Sequence, residues 1–146
     1  MAKALIVCAS RNGATMKIAD LIAQGISGKG VEAKVLNALQ IHKAEELQGY
    51  DAYVFGSATY HGDMLPAMSN FLFLASGMDL TGKVGGSFGA FGWSGEAPSR
   101  IYDTMRHIFK MRMVASPLRL QSVSLPSDQA VARDYGGEIG SRVLGD

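Results

Sequence analysis

The chain is short of cysteine, of net charge and of long apolar runs, and each shortage excludes a class of protein. Its 146 residues include a single cysteine, Cys8, so no internal disulfide can form. Cys8 stands in an apolar stretch, the setting of a buried, unreactive thiol. A count of 14 Lys and Arg against 13 Asp and Glu leaves a formal charge of +1. That is too little for the basic footprint of a nucleic-acid binder. The densest basic group, Arg106, His107, Lys110 and Arg112, reads as a solvated helix end. No apolar run approaches the ~20 residues of a membrane span. The N-terminal one is too short for a secretion signal and leads directly into a turn, so a cytoplasmic protein without a membrane span is expected.

Several chemical signatures are also missing. His42, His61 and His107 lie far apart without ligand spacing, so no metal site is expected. Gly92-Trp93-Ser94-Gly95 lacks the G-x-S-x-G spacing of a hydrolase elbow. The turn after the first apolar run has neither the paired glycines and lysine of a Walker loop nor a G-x-G-x-x-G dinucleotide turn. Ala14 occupies the position, six residues after Cys8, where a cysteine phosphatase needs arginine. The same turn has no carboxylate, which argues against the acidic pocket of a phosphorylated receiver domain on a similar scaffold.

What remains is an alternation of apolar runs and helical patterns, in a chain that is 47% hydrophobic with 18 glycines. This predicts βαβ units around a parallel sheet in one domain spanning residues 1–146. Strands are expected at about Lys3–Cys8, Val31–Asn37, Ala52–Gly56 and Lys83–Phe91, with a fifth inside Arg112–Val123, interrupted near Ser116-Pro117. The first helix runs from about Gly13 to Ser27, with Ile18, Ala19, Ile22, Ala23 and Ile26 as its buried stripe. A short helix is expected around Lys43–Leu47, and another over Pro66–Ser76 that turns Leu65, Met68, Phe71, Leu72 and Ala75 inward. A fourth covers about Ala97–Lys110 with Ala97, Ile101, Met105 and Ile108 inward. The last begins near Ser127-Asp128 as a cap and is weakened by Gly136-Gly137. Gly85, Gly86 and Gly89 in the fourth strand imply close approach by another element. Five strands and about five helices make a three-layer α/β sandwich.

In such sheets ligands sit beyond the carboxyl ends of the strands. The loop after strand one holds Ser10, Arg11, Asn12, Gly13, Ala14 and Thr15 at a helix start, a place suited to a phosphate; the alternative is an ordinary turn. The loop after strand three holds Ser57, Ala58, Thr59, Tyr60, His61 and Gly62. The loop after strand four holds Ala90, Phe91, Gly92, Trp93, Ser94 and Gly95. Glycines beside aromatic rings let a flat ligand reach both ring and backbone N–H groups. Tyr60 and Trp93 could equally cap the sheet edge. Glu96 reads as a helix-start charge.

With these three loops and Met64-Leu65-Pro66, the chain resembles the flavodoxins along essentially its whole length, and most closely the flavodoxin-type module of A-type flavoproteins (flavodiiron proteins). The resemblance implies strand order 2-1-3-4-5 and non-covalent FMN. It places the FMN phosphate on Ser10 through Thr15, one side of the ring on Ser57 through Gly62 and the other on Ala90 through Gly95. It implies one-electron transfer between redox partner proteins, a reductase and an acceptor, by a monomer or weak dimer. The alternative is an FMN-dependent NAD(P)H:quinone-type oxidoreductase. Gly62 would make reorientation of the His61-Gly62-Asp63 peptide cheap. The chain departs from the family pattern in the charge of Arg11, in a loop that is usually neutral, and in its near-neutral total where soluble carriers are strongly acidic.

Overall fold

The computed structural model describes residues 2–10, 13–60, 62–91 and 95–145. Among these the elements follow in the order β1 (Lys3–Ala9), α1 (Gly13–Ser27), β2 (Glu32–Asn37), β3 (Ala52–Ser57), β4 (Thr59–Tyr60), β5 (Asp63–Met64), α2 (Pro66–Ala75), β6 (Val84–Ala90), α3 (Glu96–Asp103), β7 (Arg112–Met113), β8 (Leu118–Leu120) and α4 (Pro126–Val143). The main sheet has the order β2-β1-β3-β6-β7, and β8 also pairs with β6. Every pairing in it is parallel. Because β7 and β8 are two halves of one edge position, the sheet is five positions wide in the expected 2-1-3-4-5 order. β4 and β5 form a separate antiparallel hairpin inside what the sequence presents only as a loop.

Strand alternation builds the layers. Ala4, Ile6 and Cys8 of β1 enter one apolar cluster with Ile18, Ile22 and Ile26 of α1 and Ala132, Tyr135 and Ile139 of α4. Leu5, Val7 and Ala9 enter the other, with Met68, Phe71 and Leu72 of α2 and Ile101 of α3. Side chains of period two thus serve both faces, as a sheet covered on both sides requires.

Two close approaches explain Gly86 of β6 and the glycines of the α1–α4 contact. The edge position is broken between β7 and β8, opposite Gly86 and Ser87, where Ala115 has a positive φ of 57° and Pro117 lacks a donor. There the Tyr135 hydroxyl accepts from Ser87 N at 3.0 Å and donates to Ser87 O at 3.1 Å, taking the place of the missing strand. A Cβ on Gly86 would stand 2.9 Å from that hydroxyl. On the same side of the sheet, a Cβ on Gly136 of α4 would run into the Ile22 carbonyl, and one on Gly25 of α1 into the Arg133 carbonyl. The two helices therefore meet backbone to backbone. α4 runs unbroken through Gly136 and Gly137, the pair expected from sequence to weaken it.

Three further elements refine or correct the expectations. The short helix expected around Lys43–Leu47 is a 3-10 helix at Ala44–Leu47, and a second, unexpected one precedes it at Ala38–Gln40. α4 starts at Pro126 after Leu125, without a side-chain cap from Ser127 or Asp128. The fourth helix passes into a π turn at Thr104–Ile108, closed by Phe109 N on Thr104 O at 3.0 Å. The extra residue rotates the stripe, so Ile108 is 68% exposed and Phe109 takes the inward place.

Candidate functional site

β1, β3 and β6 are successive strands of the sheet, so the carboxyl ends of each adjacent pair lie one strand spacing, ~4.8 Å, apart. The three segments leaving these ends are joined pairwise by hydrogen bonds. Ala58 N donates to Ala9 O at 3.2 Å and ties the second segment to the first. Ala90 N donates to Thr15 Oγ1 at 3.4 Å and ties the third to the first. Ala97 N donates to Thr59 Oγ1 at 3.1 Å and ties the third to the second. A closed triangle of contacts holds the rim together.

In the first segment, Ser10 is half-buried and α1 opens at Gly13, which is exposed and would have nothing within 4 Å of an added Cβ. The first turn of α1 contains no acidic residue, so its positive dipole end is not neutralised by the helix itself. Ala14 is half-buried and Thr15 wholly buried, its hydroxyl directed at the end of β6. Arg11 and Asn12 lie outside the described residues.

The second segment is closed at its base by Ser57, which is fully buried. Its hydroxyl donates to Ala58 O at 2.8 Å and accepts from Leu65 N at 3.0 Å. The sequence marks Ser57 as a contact residue, and the two hydrogen bonds of its hydroxyl are made inside its own loop. Thr59 serves as a helix cap: Gly95, at the cap position of α3, has no side chain to offer, and Thr59 receives the Ala97 N–H in its place. Tyr60 stands 43% exposed at the rim. Gly62 has a φ of +74°, a conformation that side chains rarely adopt. Its carbonyl accepts from Arg100 Nε at 3.2 Å, and the same nitrogen lies 3.7 Å from Asp63 Oδ1. His61 lies outside the described residues.

In the third segment, Ala90 ends β6 and Phe91 N donates to Leu120 O at 3.0 Å, anchoring the segment to β8. A Cβ on Gly95 would come within 3.0 Å of Arg119 Cδ. Gly92, Trp93 and Ser94 lie outside the described residues. Cys8, one residue before the end of β1, is no nucleophile: burial, with a smaller push from Asp20, raises its thiol to about 12.

Sequence reasoning missed Arg100. It is one of several charges on a solvated helix, and its partner is 38 residues away in the chain, so no local pattern announces it.

The donor set fits a phosphate-bearing planar ligand. An unneutralised helix start, a buried threonine hydroxyl and an open glycine lie at one corner of the triangle, and two loops rich in glycine and aromatic residues lie at the others. Among the described residues no helix is long and apolar enough to cross a membrane.

Comparison with known proteins agrees with this geometry. A family model described as a flavodoxin domain matches residues 5–83. The solved structure of a flavodoxin from the domain Archaea superposes with a TM-score of 0.91 at 32% identity, covering 97% of this chain and 99% of that one. The rubredoxin-oxygen oxidoreductase of Megalodesulfovibrio gigas is 27% identical over 117 residues, covering 78% of this chain and 29% of that protein. An NAD(P)H dehydrogenase (quinone) of Archaeoglobus fulgidus is 30% identical over 122 residues, covering 67% of this chain and 64% of that protein. The chain thus spans less than two thirds of the length of either curated relative.

Proposed function

We propose the following from the premise that the chain belongs to the flavodoxin domain family, whose cofactor is FMN: it is an electron carrier that takes electrons from a reductase and delivers them to an acceptor protein. The observation that carries the reading is the triangle of hydrogen bonds joining the three rim segments beside the unneutralised start of α1. Bound FMN supplies one-electron chemistry, and the protein supplies position and environment. Ser10, Arg11, Asn12, Gly13, Ala14 and Thr15 hold the phosphate, through backbone N–H groups, the α1 dipole and the Thr15 hydroxyl. Ala58, Thr59, Tyr60, His61 and Gly62 form one wall of the ring slot, shaped from beneath by Ser57. Ala90, Phe91, Gly92, Trp93, Ser94 and Gly95 form the other. Both walls exclude water, and the lowered dielectric disfavours added negative charge on the ring. The carrier acts as a monomer or weak dimer in the cytoplasm.

A second reading, an NAD(P)H:quinone-type oxidoreductase, is favoured by the likeness to the NAD(P)H dehydrogenase (quinone) of Archaeoglobus fulgidus. One experiment separates the two. The purified chain is loaded with FMN and mixed with NADH or NADPH and a soluble quinone, with and without an added flavodoxin reductase. The carrier reading expects a yellow protein that is reduced only when the reductase is present. Steady turnover without the reductase replaces it with the oxidoreductase. A chain that takes up no FMN overturns both.

A further inference from the structure

We propose that Arg100 is a positioning residue for the flavin site: it holds the Gly62 carbonyl and the Asp63 carboxylate against α3, and so sets the wall that the second rim segment presents. The inference rests on the FMN-carrier reading above.

The β4–β5 hairpin has only two residue pairs, Thr59 with Met64 and Tyr60 with Asp63. So short a ribbon does not support its own tip. Its base is fixed by Ser57, but Gly62 lies beyond both pairs. Among the described residues, Ala58 N on Ala9 O ties the start of the segment to β1, and two further hydrogen bonds reach it from α3: Ala97 N to Thr59 Oγ1, and Arg100 Nε to Gly62 O at its tip. Residues 97 and 100 are one turn apart and share a face of the helix.

Glycine at φ +74° leaves the peptide after Gly62 free to rotate at small steric cost. Its direction is therefore set by what binds its carbonyl, and Arg100 is that partner. Arg100 also lies 3.7 Å from Asp63 Oδ1, and the same oxygen accepts from Met64 N at 2.7 Å. The guanidinium thus spans both sides of one peptide link. The third rim segment runs directly into α3, so the clamp makes the two walls of the slot move as one body.

The test uses the full chain loaded with FMN, comparing wild type with Arg100→Met, Arg100→Lys, Asp63→Asn and the Arg100→Met/Asp63→Asn double variant. The readouts are the FMN dissociation rate at low and high salt, the visible-region circular dichroism of the bound flavin and the melting temperature without FMN. For an exposed charge-assisted clamp, Arg100→Met is expected to release FMN about fivefold faster. It also changes the flavin dichroism, removes most of the salt dependence and leaves the FMN-free melting temperature unchanged. Arg100→Lys, which keeps the charge and a donor, restores part of both flavin readouts. Asp63→Asn has a smaller effect, and the double variant is no worse than Arg100→Met. Arg100→Met with wild-type dissociation and dichroism overturns this inference alone, as do independent, additive effects of the two single changes. Wild-type protein that takes up no FMN overturns the carrier reading and this inference together.

Discussion

Ser87 has opposite circumstances in its main chain and its side chain. Its N–H and C=O are both satisfied by the Tyr135 hydroxyl, yet its own hydroxyl is buried without a hydrogen-bond partner among the described residues. An unpaired buried hydroxyl costs about 1–3 kcal/mol, while removing it from an apolar surrounding costs little. Ser87→Ala is therefore expected to raise the stability in urea unfolding by about 1 kcal/mol. A loss of stability instead would mean that the hydroxyl is engaged. Tyr135→Phe does the reverse: it strips two main-chain groups of their partner at the break in the edge strand, at a cost of about 2–4 kcal/mol. Cys8 gives a pH signature. Burial raises its thiol from the ordinary 9.0 to about 12, so the folded protein holds a proton that the unfolded chain releases. The stabilisation is fully present below pH 9 and is lost as pH rises from about 9 towards 12. Tyr53 and Tyr135, both raised by burial above the ordinary 10.0, steepen the decline at the alkaline end. Urea midpoints across this range should fall less steeply in Cys8→Ala than in wild type. Equal slopes would assign the alkaline decline to the tyrosines alone.

Among the elements, the α1–α4 contact shows what neighbouring glycines do differently. A methyl group at Gly136 collides with the Ile22 carbonyl, whereas one at Gly137 meets nothing nearer than Lys29 Cε at 3.5 Å. Gly136→Ala is expected to destabilise by about 2–4 kcal/mol, because two packed helices must separate. Gly137→Ala is expected to be neutral or to stabilise by up to about 1 kcal/mol through helix propensity. Similar losses for both would mean that the helix, not the contact, sets the cost. Neither role is visible in the Gly-Gly pair itself, which reads as a weak point in a helix. The strands, by contrast, were legible, because runs such as Ala52–Gly56 are apolar at every position and only a sheet covered on both faces needs that. α1 and α2 were legible through their stripes. The π turn at Thr104–Ile108 was not, since it leaves no local mark and merely moves the inward place from Ile108 to Phe109. The β4–β5 hairpin was hidden for a related reason: the bonds that shape it come from Leu65, Ala97 and Arg100, all outside it.

For the molecule as a whole, site and sheet are one construction. The position of the three rim segments follows from strand order, and strand order follows from the alternation of strands and helices, so the place of the candidate site, where these segments converge, could be read from sequence. The roles inside it could be read less well, because they depend on pairings across the chain: Ser57 closes its own loop, Thr59 caps a helix 38 residues on, and Thr15 receives the end of β6. These cross-bonds tie ligand binding to global stability. A ligand that grips all three segments binds only the folded chain, and at one hundred times its Kd it stabilises by about 2.7 kcal/mol. For a domain of this size, that is a rise of roughly 6–10 °C in the melting temperature. FMN is expected to give this rise. Riboflavin, with the same ring and no phosphate, is expected to give much less at equal concentration, because the first segment then has nothing to hold. Thr15→Val keeps the shape of a fully buried side chain and removes its hydroxyl. It should narrow the gap between FMN and riboflavin by weakening FMN alone. If Thr15→Val lowers both shifts equally, the residue serves the ring or the fold and the phosphate corner lies elsewhere on the rim.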